Sequence, residues 1–77
     1  MNSTIIVEFG QAIRKFRNKK AISQETFADM CNLHRTYISD VELGKRNVSL
    51  ENIQKMAEAL SINISDIFLE VEKNEGI

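Results

Sequence analysis

The chain has 77 residues, of which 43% are hydrophobic and 27% charged, and this length suits one small domain spanning residues 1–77 with no room for a second. No run of about 18 uncharged residues is present, and the segment MNSTIIVEFG lacks the basic start and long apolar core of a signal peptide, so we expect a cytoplasmic protein without a membrane span. A single cysteine excludes an internal disulfide, which leaves a partner subunit as an alternative source of stability.

The net charge of −1 is the average of two unlike halves. Residues 1–46 hold eight Lys and Arg against five Asp and Glu, a balance of +3, whereas residues 47–77 hold two against six, a balance of −4. The first half is therefore compatible with a phosphate backbone and the second is not. Such an asymmetry often arises by chance, so it permits nucleic-acid binding without requiring it.

Apolar residues recur at intervals of three and four and no proline interrupts them, which predicts an all-α chain. The apolar stripe of the first helix is Ile6, Phe9, Ile13 and Phe16. Ser23 is a good N-cap for a second helix, whose inner face is Phe27, Ala28 and Cys31.

A tight turn and a third short helix follow directly. Asn32 tolerates the left-handed backbone of such a turn, and Leu33 can fill the corner. The third helix is predicted from His34 to Leu43, because Gly44 is a favourable stop.

Two further helices complete the predicted set of five. Ser49 caps the fourth, whose inner face is predicted to be Leu50, Ile53, Met56, Ala57 and Leu60. Asn63 or Ser65 opens the fifth, which contains Ile64, Ile67, Phe68 and Val71, and the last residues, EKNEGI, are predicted to fray.

The third helix carries an unusual polar face. If Ile38 and Val41 point to the core, the opposite face contains Thr36, Ser39, Asp40 and Leu43, with Arg35 and Tyr37 at its flanks and His34 in the first turn. Ser and Thr are weak helix formers, and an ordinary exposed helix would carry Lys and Glu four residues apart. Small hydroxyl side chains let a helix enter the major groove, where a Thr methyl meets thymine and an Arg grips guanine. The face therefore predicts base contacts from Arg35 and Thr36.

Polar groups on neighbouring segments fit backbone contacts. Gln24 lies at the start of the second helix, where free amides and the helix dipole favour a phosphate. Glu25 would repel phosphate, and we expect it to hold Arg35 instead. The loop after the third helix carries the donors Lys45, Arg46 and Asn47.

Several of these residues also have ordinary explanations. Tyr37 can cover Leu33 with its hydroxyl in water or contact the sugar-phosphate backbone, and His34 can cap the third helix or contact a phosphate. Asp40 is expected to be solvated, the alternative being acceptance from a cytosine amine. Cys31 and His34 alone make no zinc site, so we predict no metal and no cofactor. No nucleophile with a base and no phosphate-binding glycine loop is present, so we predict no enzyme.

The C-terminal helix holds more apolar residues than one face of a short helix can bury. A homodimer interface at about residues 60–72 explains the surplus, and its predicted members are Ile64, Ile67, Phe68, Leu69 and Val71. The alternative is a monomer with an exposed apolar tail.

The segment IRKFRNKKAISQETFADMCNLHRTYISDVELGKR resembles the helix-turn-helix DNA-binding domains of the lambda-repressor and Xre type. The resemblance covers nearly the whole chain and implies a five-helix fold with the helix-turn-helix at about residues 23–43. It also implies that Arg17 and Glu42 form a structural salt bridge, that Gln24 meets a phosphate, and that residues 34–36 and Ser39 face the bases.

The segment LHRTYISDVELGKRNVSLENI is more closely similar to the controller proteins of restriction-modification systems. That resemblance implies a homodimer on a nearly palindromic double-stranded operator, with RNA polymerase as a further partner and with Arg35, Thr36, Arg46 and Asn47 as favoured DNA contacts. Two residues depart from the pattern: Ala21 replaces a common Gly, and Leu43 replaces a common Arg that would add a phosphate donor. A phage-type repressor, an antitoxin, or a helical protein-interaction module without DNA binding are the alternative functions.

Overall fold

The computed structural model describes residues 4–75, and their side chains as far as residue 73. Five helices and no strand are formed by this part of the chain, which agrees with the predicted all-α fold. Their bounds are α1 Thr4–Lys19, α2 Gln24–Cys31, α3 Arg35–Glu42, α4 Leu50–Leu60 and α5 Ile64–Glu75. No helix within this range is long and apolar enough to cross a membrane.

Local capping groups set the helix ends where the sequence predicts them. Ser23 Oγ accepts from the Thr26 N–H at 3.0 Å, and Ser49 Oγ accepts from the Asn52 N–H at 3.2 Å, so both serines satisfy an amide that has no partner within its helix. Asn32 ends α2 in the left-handed conformation, with φ of 59°. This reversal lets only three residues separate α2 from α3.

The fifth helix runs further than predicted. Instead of fraying after Val71, α5 continues to Glu75, because residues 72–75 contain no helix breaker and include good helix formers. The last two residues of the EKNEGI segment, 76 and 77, lie outside the described part of the chain.

All five helices contribute to one hydrophobic core. Its buried members are Phe9, Ala12, Ile13, Phe27, Ala28, Cys31, Ile38, Val41, Ile53, Met56, Ala57, Leu60, Ile67 and Val71. Leu50 was predicted to face inward but is 83% exposed, since it is the first residue of α4 and lies on the outer side of that turn.

The predicted dimer interface needs a correction at two positions. Ile67 is fully buried and Val71 is 2% exposed within the single chain, because α5 packs this side against α1 and α4. In this conformation neither side chain has exposed surface that a partner chain could contact. Ile64 and Leu69 are exposed, at 43% and 57%, and Phe68 is half-buried, with its ring centroid 5.7 Å from that of Phe9.

Two glycines allow close backbone contacts around α3. Gly10 of α1 is buried against the last turn of α3, and a Cβ there would lie 3.1 Å from the Glu42 carbonyl oxygen and closer still to that of Val41. Gly44 follows α3 with φ of 76°, and a Cβ there would lie 3.1 Å from Val7 Cα. The helix α3 is therefore held directly against α1 along its C-terminal end.

Candidate nucleic-acid interface

The helix α3 buries one side and exposes the other, as the helical period predicts. Ile38 and Val41 are buried in the core, whereas Arg35 and Thr36 are exposed and Ser39 is half-buried. The exposed side therefore presents two hydroxyl groups and a guanidinium from one short helix.

The two ends of α3 extend this surface. His34 occupies the N-cap position but its side chain makes no capping hydrogen bond, so its exposed ring stays available for another contact. At the other end Leu43 is 59% exposed. An apolar side chain thus lies where an Arg would have added a charge.

Arg35 has no acidic partner among the side chains that the structure describes. The ion pairs within residues 4–73 are Lys15–Glu70, Arg17–Glu42 and Arg46–Asp40, so the predicted contact between Glu25 and Arg35 is wrong. Glu25 lies exposed in the first turn of α2. The Arg35 guanidinium consequently keeps all five of its N–H donors for an external acceptor.

Arg46 lies beside α3 on the connection to α4. Its Nε is 3.3 Å from Asp40 Oδ2, and its Cζ lies 5.4 Å from the centroid of the Tyr37 ring. Asp40 was predicted to be solvated, but it is paired with Arg46. Lys45 and Asn47 are exposed on either side of Arg46. The loop donors lie at the edge of the α3 surface, as a contact to a DNA backbone would require.

Tyr37 has a partner that the sequence did not indicate. Asn52 Nδ2 on α4 donates to the Tyr37 hydroxyl oxygen at 3.1 Å, and both residues are half-buried. The ring also packs against the edge of the core. Its position is therefore fixed by α4 as well as by α3.

A buried charged cluster ties together α1, the start of α2 and the end of α3. Arg17 donates to Glu42 through Nε at 2.6 Å and Nη2 at 2.9 Å, and donates to the Ile22 carbonyl through Nη1 at 2.8 Å. The hydrogen bonds to the Glu42 carboxylate raise the pKa of Arg17 above its ordinary value. The cluster is structural and faces away from solvent, since the Arg17 and Glu42 side chains are only 11% and 3% exposed.

Gln24 joins the same cluster. Its Nε2 donates to Glu42 Oε1 at 3.1 Å, and the residue is half-buried. One amide hydrogen is thus used within the chain, which leaves the other for the predicted phosphate contact. The sequence indicated a phosphate for Gln24 but gave no sign of this internal acceptor.

Comparison with known proteins assigns the chain to a protein family. A helix-turn-helix family profile matches residues 13–67, which include the cluster, α2, α3 and the loop donors. The chain belongs to the helix-turn-helix family. Members of this family are transcription regulators and do not form an enzyme class.

Within the family, the chain is similar to restriction-modification control proteins. It is 50% identical to control protein C.BamHI of Bacillus amyloliquefaciens over 68 residues, 87% of this chain and 84% of that protein. It is 46% identical to control protein C.MunI of a Mycoplasma species, over 90% of this chain and 95% of that protein. The crystal structure of the restriction-modification controller protein C.AhdI from Aeromonas hydrophila superposes with a TM-score of 0.81 and 49% identity, over 82% of this chain and 96% of that one. The resemblance and fold predicted from the sequence are thereby confirmed.

Proposed function

We propose that this protein is the control protein of a restriction-modification system, a sequence-specific DNA-binding regulator of transcription that acts as a homodimer. The similarity to control proteins along most of their length supports the biological role. The observation that supports the DNA-binding surface is the exposed Arg35 guanidinium beside Thr36, to which no acidic side chain of residues 4–73 is paired.

In this proposal α3 enters the major groove, and Arg35, Thr36 and Ser39 contact bases. A guanidinium that donates two hydrogen bonds to guanine discriminates against the wrong base by about 1–3 kcal/mol. A helix face of hydroxyl groups brings the backbone of α3 close to the floor of the groove.

The residues around α3 contact the DNA backbone. They lie at the start of α2, at the start of α3 or on the loop that follows α3, and they are Gln24, His34, Tyr37, Lys45, Arg46 and Asn47. Their contacts set affinity and orientation more than sequence preference. Two copies of α3 in a dimer would lie one helical turn apart on a nearly palindromic operator. RNA polymerase would be the further partner of a regulator bound beside a promoter.

Selection of duplexes from a random pool tests the assignment of Arg35. Arg35→Ala is expected to relax specificity at one base of each half-site. Arg46→Ala should instead weaken binding evenly across sequences and reduce the slope of log affinity against log salt concentration by about one. Lys73→Ala is the matched control, because it removes an exposed charge from α5. Equal operator selectivity in the wild type and Arg35→Ala would remove the assignment.

The proposed homodimer uses the exposed apolar residues of α5. Leu69→Lys is expected to give monomers in sedimentation velocity. Leu69 is 57% exposed in the single chain, and the proposed dimer would bury the new charge at this position. Met30→Lys is the control, because Met30 is 50% exposed but lies on α2. A Leu69→Lys profile that matches the wild-type dimer would place the interface elsewhere.

A further inference from the structure

Asn52 contacts the proposed DNA-binding surface from within the protein. It lies in the first turn of α4, where its backbone N–H is held by the Ser49 cap, and its side chain donates to the Tyr37 hydroxyl. We infer that Asn52 is a positioning residue for DNA binding, which acts through Tyr37 on Arg46. This inference rests on the proposed function, because Tyr37 and Arg46 are proposed backbone contacts.

The direction of the hydrogen bond matters for Tyr37. Asn52 Nδ2 is the donor and the phenol oxygen is the acceptor, so the bond does not use the hydroxyl hydrogen of Tyr37. That hydrogen is left for an outside acceptor, such as a phosphate oxygen. Asn52 thus fixes the ring while leaving Tyr37 able to donate.

The fixed ring in turn supports Arg46. The guanidinium carbon lies 5.4 Å from the ring centroid, and Asp40 accepts from Nε at 3.3 Å. The guanidinium is held between an aromatic face and a carboxylate, and its two terminal nitrogens remain free to donate. Arg46 is still 51% exposed, so the support orients the side chain without burying it.

Arginine needs such support because it is long and flexible. An unsupported side chain samples many rotamers, and DNA binding would have to order it. Contacts that already hold the bound rotamer in the free protein reduce this loss and raise affinity. Without Asn52 the Tyr37 ring loses its tie to α4, and Arg46 loses a fixed surface to lie on.

Sequence offers little indication of this role. Asn52 lies outside the helix-turn-helix pair, 15 residues from Tyr37 in the chain. Only the packing of the first turn of α4 beside α3 brings the amide to the phenol.

The test measures affinity for an operator duplex that the wild-type protein selects from a random pool. Asn52→Ala is expected to bind this duplex roughly 3- to 10-fold more weakly, the range for having to order one flexible side chain on binding, with an unchanged salt dependence because no charge is removed. Gln54→Ala is the matched control on the same helix, since Gln54 is exposed. Circular dichroism and thermal unfolding establish that each variant is folded at the assay temperature.

Combined variants separate positioning from a general structural effect. In a Tyr37→Phe background, where the hydroxyl is already absent, Asn52→Ala should change affinity by less than about twofold. In an Arg35→Ala background it should retain its full effect, because Arg35 is not part of this chain of contacts. A merely structural role would give the same factor in both backgrounds.

Two results would overturn the inference. The first is an Asn52→Ala variant that binds the operator duplex with wild-type affinity. The second is an Asn52→Ala substitution that weakens binding as much in the Tyr37→Phe background as it does in the wild type. Failure of the wild-type protein to select any duplex would instead remove the proposed function, together with this inference.

Discussion

Removal of the Glu42 carboxylate is expected to destabilise the fold severely. In Glu42→Ala, the Arg17 guanidinium remains buried at 11% exposure and keeps only the Ile22 carbonyl as an acceptor. Gln24 also loses the oxygen to which it donates. The variant therefore leaves a buried charge without its counter-charge.

The size of the effect follows from this burial. Loss of one partner of a buried ion pair costs about 3–5 kcal/mol, whereas exposed pairs contribute about 0–1 kcal/mol. A domain of 77 residues has a total stability of about 4–12 kcal/mol. Glu42→Ala should thus remove a large part of the free energy of unfolding.

Urea unfolding followed by circular dichroism measures this change. Lys15→Ala provides the control, because Lys15 pairs with Glu70 at 2.8 Å but is 54% exposed, and it should cost less than about 1 kcal/mol. The double variant Arg17→Met with Glu42→Leu should recover most of the loss, since no unpaired charge remains. A cost of less than about 1 kcal/mol for Glu42→Ala would refute the reasoning.

Three further predictions concern the backbone and the core thiol. Gly44→Ala should lower the unfolding free energy by about 1–2 kcal/mol, because φ is 76° and the new Cβ meets Val7 at 3.1 Å; an unchanged urea midpoint would contradict it. Ala21→Gly should raise stability by up to about 1 kcal/mol in thermal unfolding, since φ is 57° there, and a lower Tm would count against this. Burial raises the pKa of Cys31 from 9.0 to about 11 and leaves the residue 3% exposed, so at pH 8 iodoacetamide should label the native thiol at least about 100-fold more slowly than the urea-unfolded one. Equal labelling rates would show that this thiol is accessible.

The helices were predictable because their signals are local. Ser23 and Ser49 lie at helix starts, Asn32 takes the left-handed conformation, and Gly44 follows the last turn of α3 with positive φ. Each of these positions depends on residues within four places in the chain. The exposed side of α3 could also be predicted, because the buried residues Ile38 and Val41 determine which side of the helix faces the core.

The helical pattern predicted no specific contact between helices, and the Arg17–Glu42 ion pair was expected only from the family resemblance. The bond from Gln24 to Glu42 and that from Asn52 to Tyr37 join residues 18 and 15 places apart, and nothing local selects either partner. The same reason explains Ile67, which looked available for a partner chain. A helical period gives the relative directions of side chains on α5 but not which of them α1 and α4 cover.

Gly10 gives α1 an influence over the orientation of α3, the helix proposed to contact DNA. Since its only side chain is a hydrogen atom, the backbone of α1 lies against the last turn of α3, at the opposite end from Arg35. A larger residue would push that end outward and tilt α3 about its contact with the core. The orientation of α3, and with it the direction of the proposed base contact of Arg35, is therefore set in part by a residue 25 positions earlier in the chain.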